Sequence, residues 1–295
     1  METLAFYSYK GGVGRSLLLA NAARYLASLG KGVVALDLDF EAPGLHYKFD
    51  RGESQETGGA VPYLVATVQG TTSPPSLHEH MAEIPVVPSG SGGWLRLMPA
   101  GPAPDRAYWT ALKVLGEQMR LDDPSGEGLM PLLDLHARIE DELKPDYLLI
   151  DTRTGVTELG GLATTILADT VVCLFIANQE SLDGTLTVVE ALTAAPRLKG
   201  QRPIRVVPVL ARTTSEPPTE EPFTTGVKRL LELAEGSARG GEKQSKPFDL
   251  PQEDVQSASD RLLGGERTAN AISPLHKSYL ELFQSLFPPP RSGKS

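Results

Sequence analysis

The stretch Tyr9–Ser16, which reads YKGGVGRS, constrains this chain more than any other. Ahead of it, Leu4-Ala5-Phe6-Tyr7 is an apolar run long enough for a buried strand. Behind it, Leu17, Leu18, Leu19, Ala20, Ala22, Ala23, Leu26 and Ala27 recur as in a largely buried helix that ends at Leu29-Gly30. A glycine-rich turn between a strand and a helix N-terminus is a phosphate cradle. Glycines let backbone N–H groups face inward and let oxyanions come close. The helix adds its unpaired first-turn donors and the positive end of its dipole. Ser16 supplies the hydroxyl that a phosphate-bound Mg²⁺ needs. A plain glycine turn is the competing reading. The agreement of strand, helix and hydroxyl favours the phosphate site.

The match to the general phosphate-loop pattern G-x-x-x-x-G-K-[ST] is imperfect. Tyr9 stands where the first glycine belongs, Arg15 stands where the lysine belongs, and an extra lysine, Lys10, precedes the double glycine. Beyond the loop, strand and helix patterns alternate. Gly32–Asp37, Trp94–Met98, Asp146–Asp151, Thr170–Ala177 and Ile204–Ala211 read as strands. Val61–Val68, Asp105–Met119, Met130–Leu143 and Ser181–Ala194 read as helices, and Ser273–Leu286 as a final amphipathic one. Residues 51–60, 70–93, 213–222 and 236–248 read as loops or irregular segments. The alternation predicts an α/β protein with a mostly parallel, doubly wound sheet and ligands at the C-terminal strand ends. No internal repeat or domain boundary stands out. Residues 1–287 are expected to form one nucleotide-binding domain, and 288–295 a disordered tail.

Two strands end in acid. Asp37 and Asp39 close the second strand as LDLDFEAPGL, and Asp151 closes a later one as LLIDTRTG. A buried apolar strand ending in Asp is how a phosphate-loop fold holds Mg²⁺, usually through water. Asp is equally suited to capping a helix or forming a turn. The glycine loop tips the balance towards a metal-linked role.

These segments resemble the ParA/MinD family of P-loop ATPases, whose phosphate loop reads KGGxGK[ST]. The variant here, KGGVGR[ST] with DxEAPGL after the DxD and DxRTG at the later strand, resembles a bacterial CobQ/MinD-like branch. The resemblance covers roughly residues 1–212 and is specific at these motifs. It implies a three-layer α-β-α P-loop fold and ATP and Mg²⁺ as cofactors. Lys10, Gly11, Gly12, Val13, Gly14, Arg15, Ser16 and Leu17 would bind nucleotide. Ser16, Asp39 and Asp151 would hold the metal, with Asp39 orienting the attacking water. Lys10 would act catalytically by reaching across an ATP-dependent homodimer to the partner's phosphates. The implied function is a nucleotide-dependent dimerisation switch with slow hydrolysis, acting on an unidentified protein partner.

The departures matter. Arginine keeps the charge of lysine but has a wider, planar head, so binding is favoured over fast turnover. Arg153 stands where partitioning ATPases usually have proline, and it can touch a phosphate, pair with Glu41 or contact a partner. One rival is a non-hydrolysing sensor or adaptor in a bacterial signalling or defence system. A metabolic synthetase is a further rival, but the sequence shows no catalytic constellation outside the nucleotide site.

Composition narrows the partners. With 28 Lys and Arg against 37 Asp and Glu the net charge is −9, which argues against a constitutive nucleic-acid coat. Residues 191–250 carry 10 basic against 7 acidic side chains. That leaves a DNA-binding face open but disfavoured, because the charges form no dense cluster. The stripe Leu275, Tyr279, Leu282, Phe283 and Leu286 on the last helix lacks a lysine-rich opposite face, so docking on the domain is favoured over a membrane. The five histidines are scattered, and zinc is not expected. The single cysteine, Cys173, lies in an apolar run and reads as a buried thiol. A core strand at the N-terminus leaves no room for a signal peptide, and a cytoplasmic location is the expectation.

Overall fold

The computed structural model describes residues 1–49, 58–70, 74–86, 90–102, 105–119, 127–155, 166–194, 203–214, 219–237, 244–252 and 273–288. Strands β1 (Glu2–Ser8), β2 (Gly32–Asp37), β3 (Ala82–Ile84), β4 (Trp94–Met98), β5 (Tyr147–Asp151), β6 (Thr170–Ile176), β7 (Arg205–Thr213) and β8 (Phe248–Pro251) form one sheet. The order across it is β3-β4-β2-β5-β1-β6-β7-β8. Every neighbouring pair is parallel except β3 with β4. Parallel strands are joined by crossovers that cover both faces of the sheet, so the central strands are apolar on both sides. All six residues of β2 are buried, as are the first six of β6.

Alternate side chains divide the core between the two faces. Leu4 and Phe6 of β1, Val33 and Ala35 of β2 and Val172 and Leu174 of β6 pack with α1 (Arg15–Ser28) and the last helix, α8 (Pro274–Leu286). On the opposite face, Val34, Leu36, Leu148 and Ile150 meet α3 (Ala60–Val68), α4 (Arg106–Gln118) and α5 (Met130–Arg138). Further along that face, Ala5, Tyr7, Cys173 and Phe175 meet α6 (Gln179–Ala194) and α7 (Glu221–Gly236). The expected three layers are therefore present, with the short helix α2 (Leu45–Lys48) just after β2.

The structure departs from expectation in several places. Within 70–93, read as irregular, lies the short edge strand β3. A second edge strand, β8, follows the loop predicted over 236–248, and its last residue is Pro251. Proline, which has no N–H to donate, is tolerated at such an edge. Helix α7 fills 221–236, where no helix is predicted. The helix expected to run to Leu143 changes after Arg138 into a π-helical turn, Ile139–Leu143, closed by Lys144 at φ 49°. Helix α8 is docked as expected: Tyr279, Leu282, Phe283 and Leu286 are buried, and Phe283 lies 5.3 Å from Tyr25 of α1, centroid to centroid. Its N-terminus is capped by the Ser273 hydroxyl, which accepts from the His276 N–H. No helix among the described residues is long and apolar enough to cross a membrane. All of the tail predicted over 288–295 except Pro288 lies outside the described residues, as does most of the loop read over 51–60.

Candidate functional site

The carboxyl ends of β1, β2 and β5 lie side by side, because β5 pairs with both of the others. This brings Ser8, Asp37 and Asp151 together at the point where the chain leaves β1 for the glycine loop. Asp37 sits opposite Asp151 in the register. Backbone bonds tie the ends: the Leu38 N–H donates to the Asp151 carbonyl at 2.9 Å, and the Thr152 hydroxyl donates to the Phe6 carbonyl at 2.9 Å.

The loop itself has the conformation its glycines allow. Gly12 and Gly14 have φ of 72° and 94°, the left-handed region that other residues seldom occupy. Gly14 is the N-cap of α1, and its carbonyl accepts the first helical bond from the Leu18 N–H at 2.9 Å. The first-turn amides of a 14-residue helix therefore open onto the loop. Tyr9, in place of the first glycine, packs its ring against Gly184 of α6.

The cleft beside the loop has a volume of about 730 Å³. Gly11 to Leu17 line it, with Asp39, Glu41, Lys48, Arg153 and Arg212 around them. Leu250, Pro251, Leu275 and Tyr279 make its apolar side. The protein is acidic overall, yet among the described residues Lys48, Arg153 and Arg212 line this cleft with Asp39 and Glu41, and Arg15 lies at its floor. Sequence reading missed Lys48, Arg212 and the apolar wall. The wall comes from β8 and α8, which are remote in sequence from the loop. Arg212 had a signal: it immediately follows the strand read over Ile204–Ala211. It takes φ 56° at an irregularity in the β7–β8 pairing, and its guanidinium donates to the Gly12 carbonyl at 3.4 Å.

Arg15 has an unexpected geometry. Read from sequence as a phosphate ligand, it is 6% exposed and turned towards the strand ends. Its Nε donates to Asp151 Oδ1 at 2.5 Å, its Nη2 to Asp39 Oδ2 at 2.7 Å, and its Nη1 to the Ser8 hydroxyl at 3.3 Å. A buried guanidinium beside two carboxylates must be paired, because an isolated buried charge is far more costly. Burial works against the Arg15 charge, but Asp151 and then Asp39 outweigh it and raise its pKa. Burial lifts the Asp151 pKa, while Arg15 and the Ser16 hydroxyl oppose the rise by stabilising the carboxylate.

Asp37 is fully buried and serves the backbone. Its two oxygens accept the N–H groups of Asp39 at 3.0 Å and Leu45 at 3.2 Å, so it shapes the turn after β2 and meets the first turn of α2. Burial, followed by the charge of Asp151, holds its carboxyl well above the usual range. Of the contacts open to Arg153, the structure has the ion pair with Glu41, which joins the loops after β2 and β5 across the cleft. Lys10 is not part of the cleft lining. Its ammonium pairs with Glu180 at the start of α6, and it lies 5.9 Å from the Tyr9 ring centroid.

Ser16 adjoins Asp151, and Asp39 lies across the Arg15 head. A hydroxyl and two carboxylates are suitable donors for a hard cation held partly by water. Among the described residues, no group of three or more His, Cys, Asp or Glu is arranged to hold a metal by itself.

The family model for the CobQ/CobB/MinD/ParA nucleotide binding domain matches residues 4–240. No curated protein matches the chain. Solved structures with the same fold include the septum site-determining protein MinD of Pyrococcus horikoshii OT3, complexed with Mg-ADP. It is 15% identical, with 97% of this chain and 96% of that one covered and a TM-score of 0.61. A McdA variant of Cyanothece in complex with ATP is 17% identical, with 97% and 95% covered and a TM-score of 0.60. A chain of the MinC:MinD cell division protein complex of Aquifex aeolicus is similar too, at 17% identity, 100% and 99% coverage and a TM-score of 0.56.

Proposed function

The chain belongs to the CobQ/CobB/MinD/ParA nucleotide-binding domain family, and from that premise we propose that it binds ATP with Mg²⁺ and acts as a dimerisation switch with slow hydrolysis. The observation that carries this reading is the loop at Gly11–Ser16. Its left-handed Gly12 and Gly14 open onto a cationic cleft of about 730 Å³, a volume suited to a nucleotide. The amides of Gly11 to Leu17 and the N-terminus of α1 hold the β- and γ-phosphates. Lys48 and Arg212 supply further charge. Leu250, Pro251 and Tyr279 offer the base an apolar wall.

In this reading Ser16 contributes a hydroxyl to Mg²⁺, and Asp39 and Asp151 hold it through water. The chemistry such an ion supplies is neutralisation of charge on the phosphates. Asp39 orients the attacking water. Lys10 leaves Glu180 and reaches the phosphates of a second copy. The Mg-ADP and ATP bound to the structures compared above support the choice of ligand, and the MinC:MinD complex supports a protein as the partner. The slight basic excess over 191–250 supplies no comparable argument for DNA. A cytoplasmic location remains part of this proposal.

One observation favours a second reading, the non-hydrolysing sensor or adaptor. Asp39, the residue assigned to water, is already paired with Arg15. Equilibrium binding of a non-hydrolysable ATP analogue, light scattering with and without it, and single-turnover hydrolysis together test both readings. Binding with dimerisation and slow turnover is expected. Binding without turnover leaves the sensor, and no binding removes both.

A further inference from the structure

Arg15 occupies the place between Asp39 and Asp151 where a cation is called for. Each of its three guanidinium nitrogens has a protein partner, at 2.5 Å, 2.7 Å and 3.3 Å. Its side chain is 7% exposed, and those of Asp39 and Asp151 are 13% and 1% exposed. Lysine at this position would bring a point charge on a flexible stem. Arginine brings a planar fork that bonds two acceptors at once. The carboxylates so neutralised are the same two that would hold the water shell of a divalent ion. Both cations cannot be accommodated, because like charges a few ångströms apart in a poorly solvated site repel strongly.

We propose that Arg15 is the resident counter-ion of Asp39 and Asp151, and that it makes this chain selective for a divalent cation bound together with a nucleotide over the cation alone. In the free protein the guanidinium fills the cation position. A polyphosphate entering the cleft presents several anionic oxygens close by, and arginine pairs with these as well as with carboxylates. Moving the guanidinium onto phosphate vacates Asp39 and Asp151 for the metal. Metal and nucleotide are then coupled reciprocally, each raising the affinity for the other. The exclusion of metal from the free protein rests on the Arg15 geometry alone, and the nucleotide-driven exchange rests on the function proposed above.

The test is Mn²⁺ titration of the nucleotide-free full chain, followed by electron paramagnetic resonance, for wild type, Arg15→Gln and Arg15→Lys. Breaking a buried ion pair is costly enough that free wild type should bind Mn²⁺ on the order of 100-fold more weakly than Arg15→Gln. Arg15→Lys should fall between them. Adding a non-hydrolysable ATP analogue should bring wild type to at least the affinity of Arg15→Gln. Equal Mn²⁺ affinity in free wild type and folded Arg15→Gln overturns the proposal, and so does a folded Arg15→Gln that binds none. If Arg15→Gln does not fold, wild type decides: tight Mn²⁺ binding without nucleotide overturns the proposal, and binding that appears only with the analogue supports it. If no protein binds the analogue, the nucleotide reading fails, while the comparison of free proteins still decides the role of Arg15.

Discussion

The ring of Tyr9 lies directly against the backbone of Gly184, so closely that a methyl group at 184 would sit 2.3 Å from Tyr9 Cδ1 and Cγ. This contact replaces the glycine that begins the general phosphate-loop pattern and ties the loop to α6. Because Cγ itself is in the way, turning the ring about χ2 gives no relief, and either χ1 or the loop backbone must change. Gly184→Ala gains about 1 kcal/mol in helix propensity. Overpacking costs about 1–3 kcal/mol and outweighs it. Urea denaturation is expected to show net destabilisation that shrinks in the Tyr9→Ala background. A Gly184→Ala protein as stable as wild type would show that the contact is not rigid.

Ser16 carries the loop hydroxyl beside Asp151. Ser16→Ala is expected to weaken ATP-analogue binding in Mg²⁺ about tenfold or more, the scale of a lost hydrogen bond to a charged group. The difference should narrow in EDTA. Calorimetric titration in both buffers measures it, and equal affinities in Mg²⁺ would remove Ser16 from the metal.

Lys10 is paired with Glu180, whose side chain is 72% exposed, against 34% for Lys10. Such a surface pair contributes at most about 1 kcal/mol and is easily given up. A desolvated contact with a partner's phosphate would be worth more. Truncating one such group costs about 2–5 kcal/mol, twice over in a symmetric dimer. Lys10→Ala should therefore bind the ATP analogue as a monomer and fail to dimerise. Light scattering of both proteins with saturating analogue decides, and a mutant dimer as tight as wild type would end the role given to Lys10.

His136 on α5 lies 2.9 Å from the Thr3 hydroxyl, ring Nε2 to Oγ1. Burial lowers its pKa below the ordinary 6.5, against the pull of Glu140 and Asp169. Lowering in the folded state means that the neutral form is the one that fits. Its contribution to stability is fully present above about pH 6.5 and is lost as pH falls through the depressed folded value. Urea denaturation from pH 7.5 down to 5 should show stability falling more steeply for wild type than for His136→Gln. Parallel pH profiles would contradict this.

Local chemistry made much of this protein legible in the chain itself. The glycine turn at Tyr9–Ser16, between an apolar strand and an alanine- and leucine-rich helix, stands out from spacing and composition alone. Strands such as GVVALD and TVVCLF, apolar at nearly every position, suit a parallel sheet covered on both faces. The Asp residues at 39 and 151 were readable because each directly follows or ends such a run. Edge strands β3 and β8 were not, since three or four residues make no periodic signal and edges need no two-sided burial. The choice of partner for each charge was equally out of reach. Lys10 with Glu180, Arg153 with Glu41, and Arg15 with Asp39 and Asp151 join residues 24 to 170 positions apart. A sequence sets which charges exist. Which of them meet, and whether Arg15 turns to its own carboxylates or outward to a phosphate, is decided by strand order and burial, because both act through space rather than along the chain.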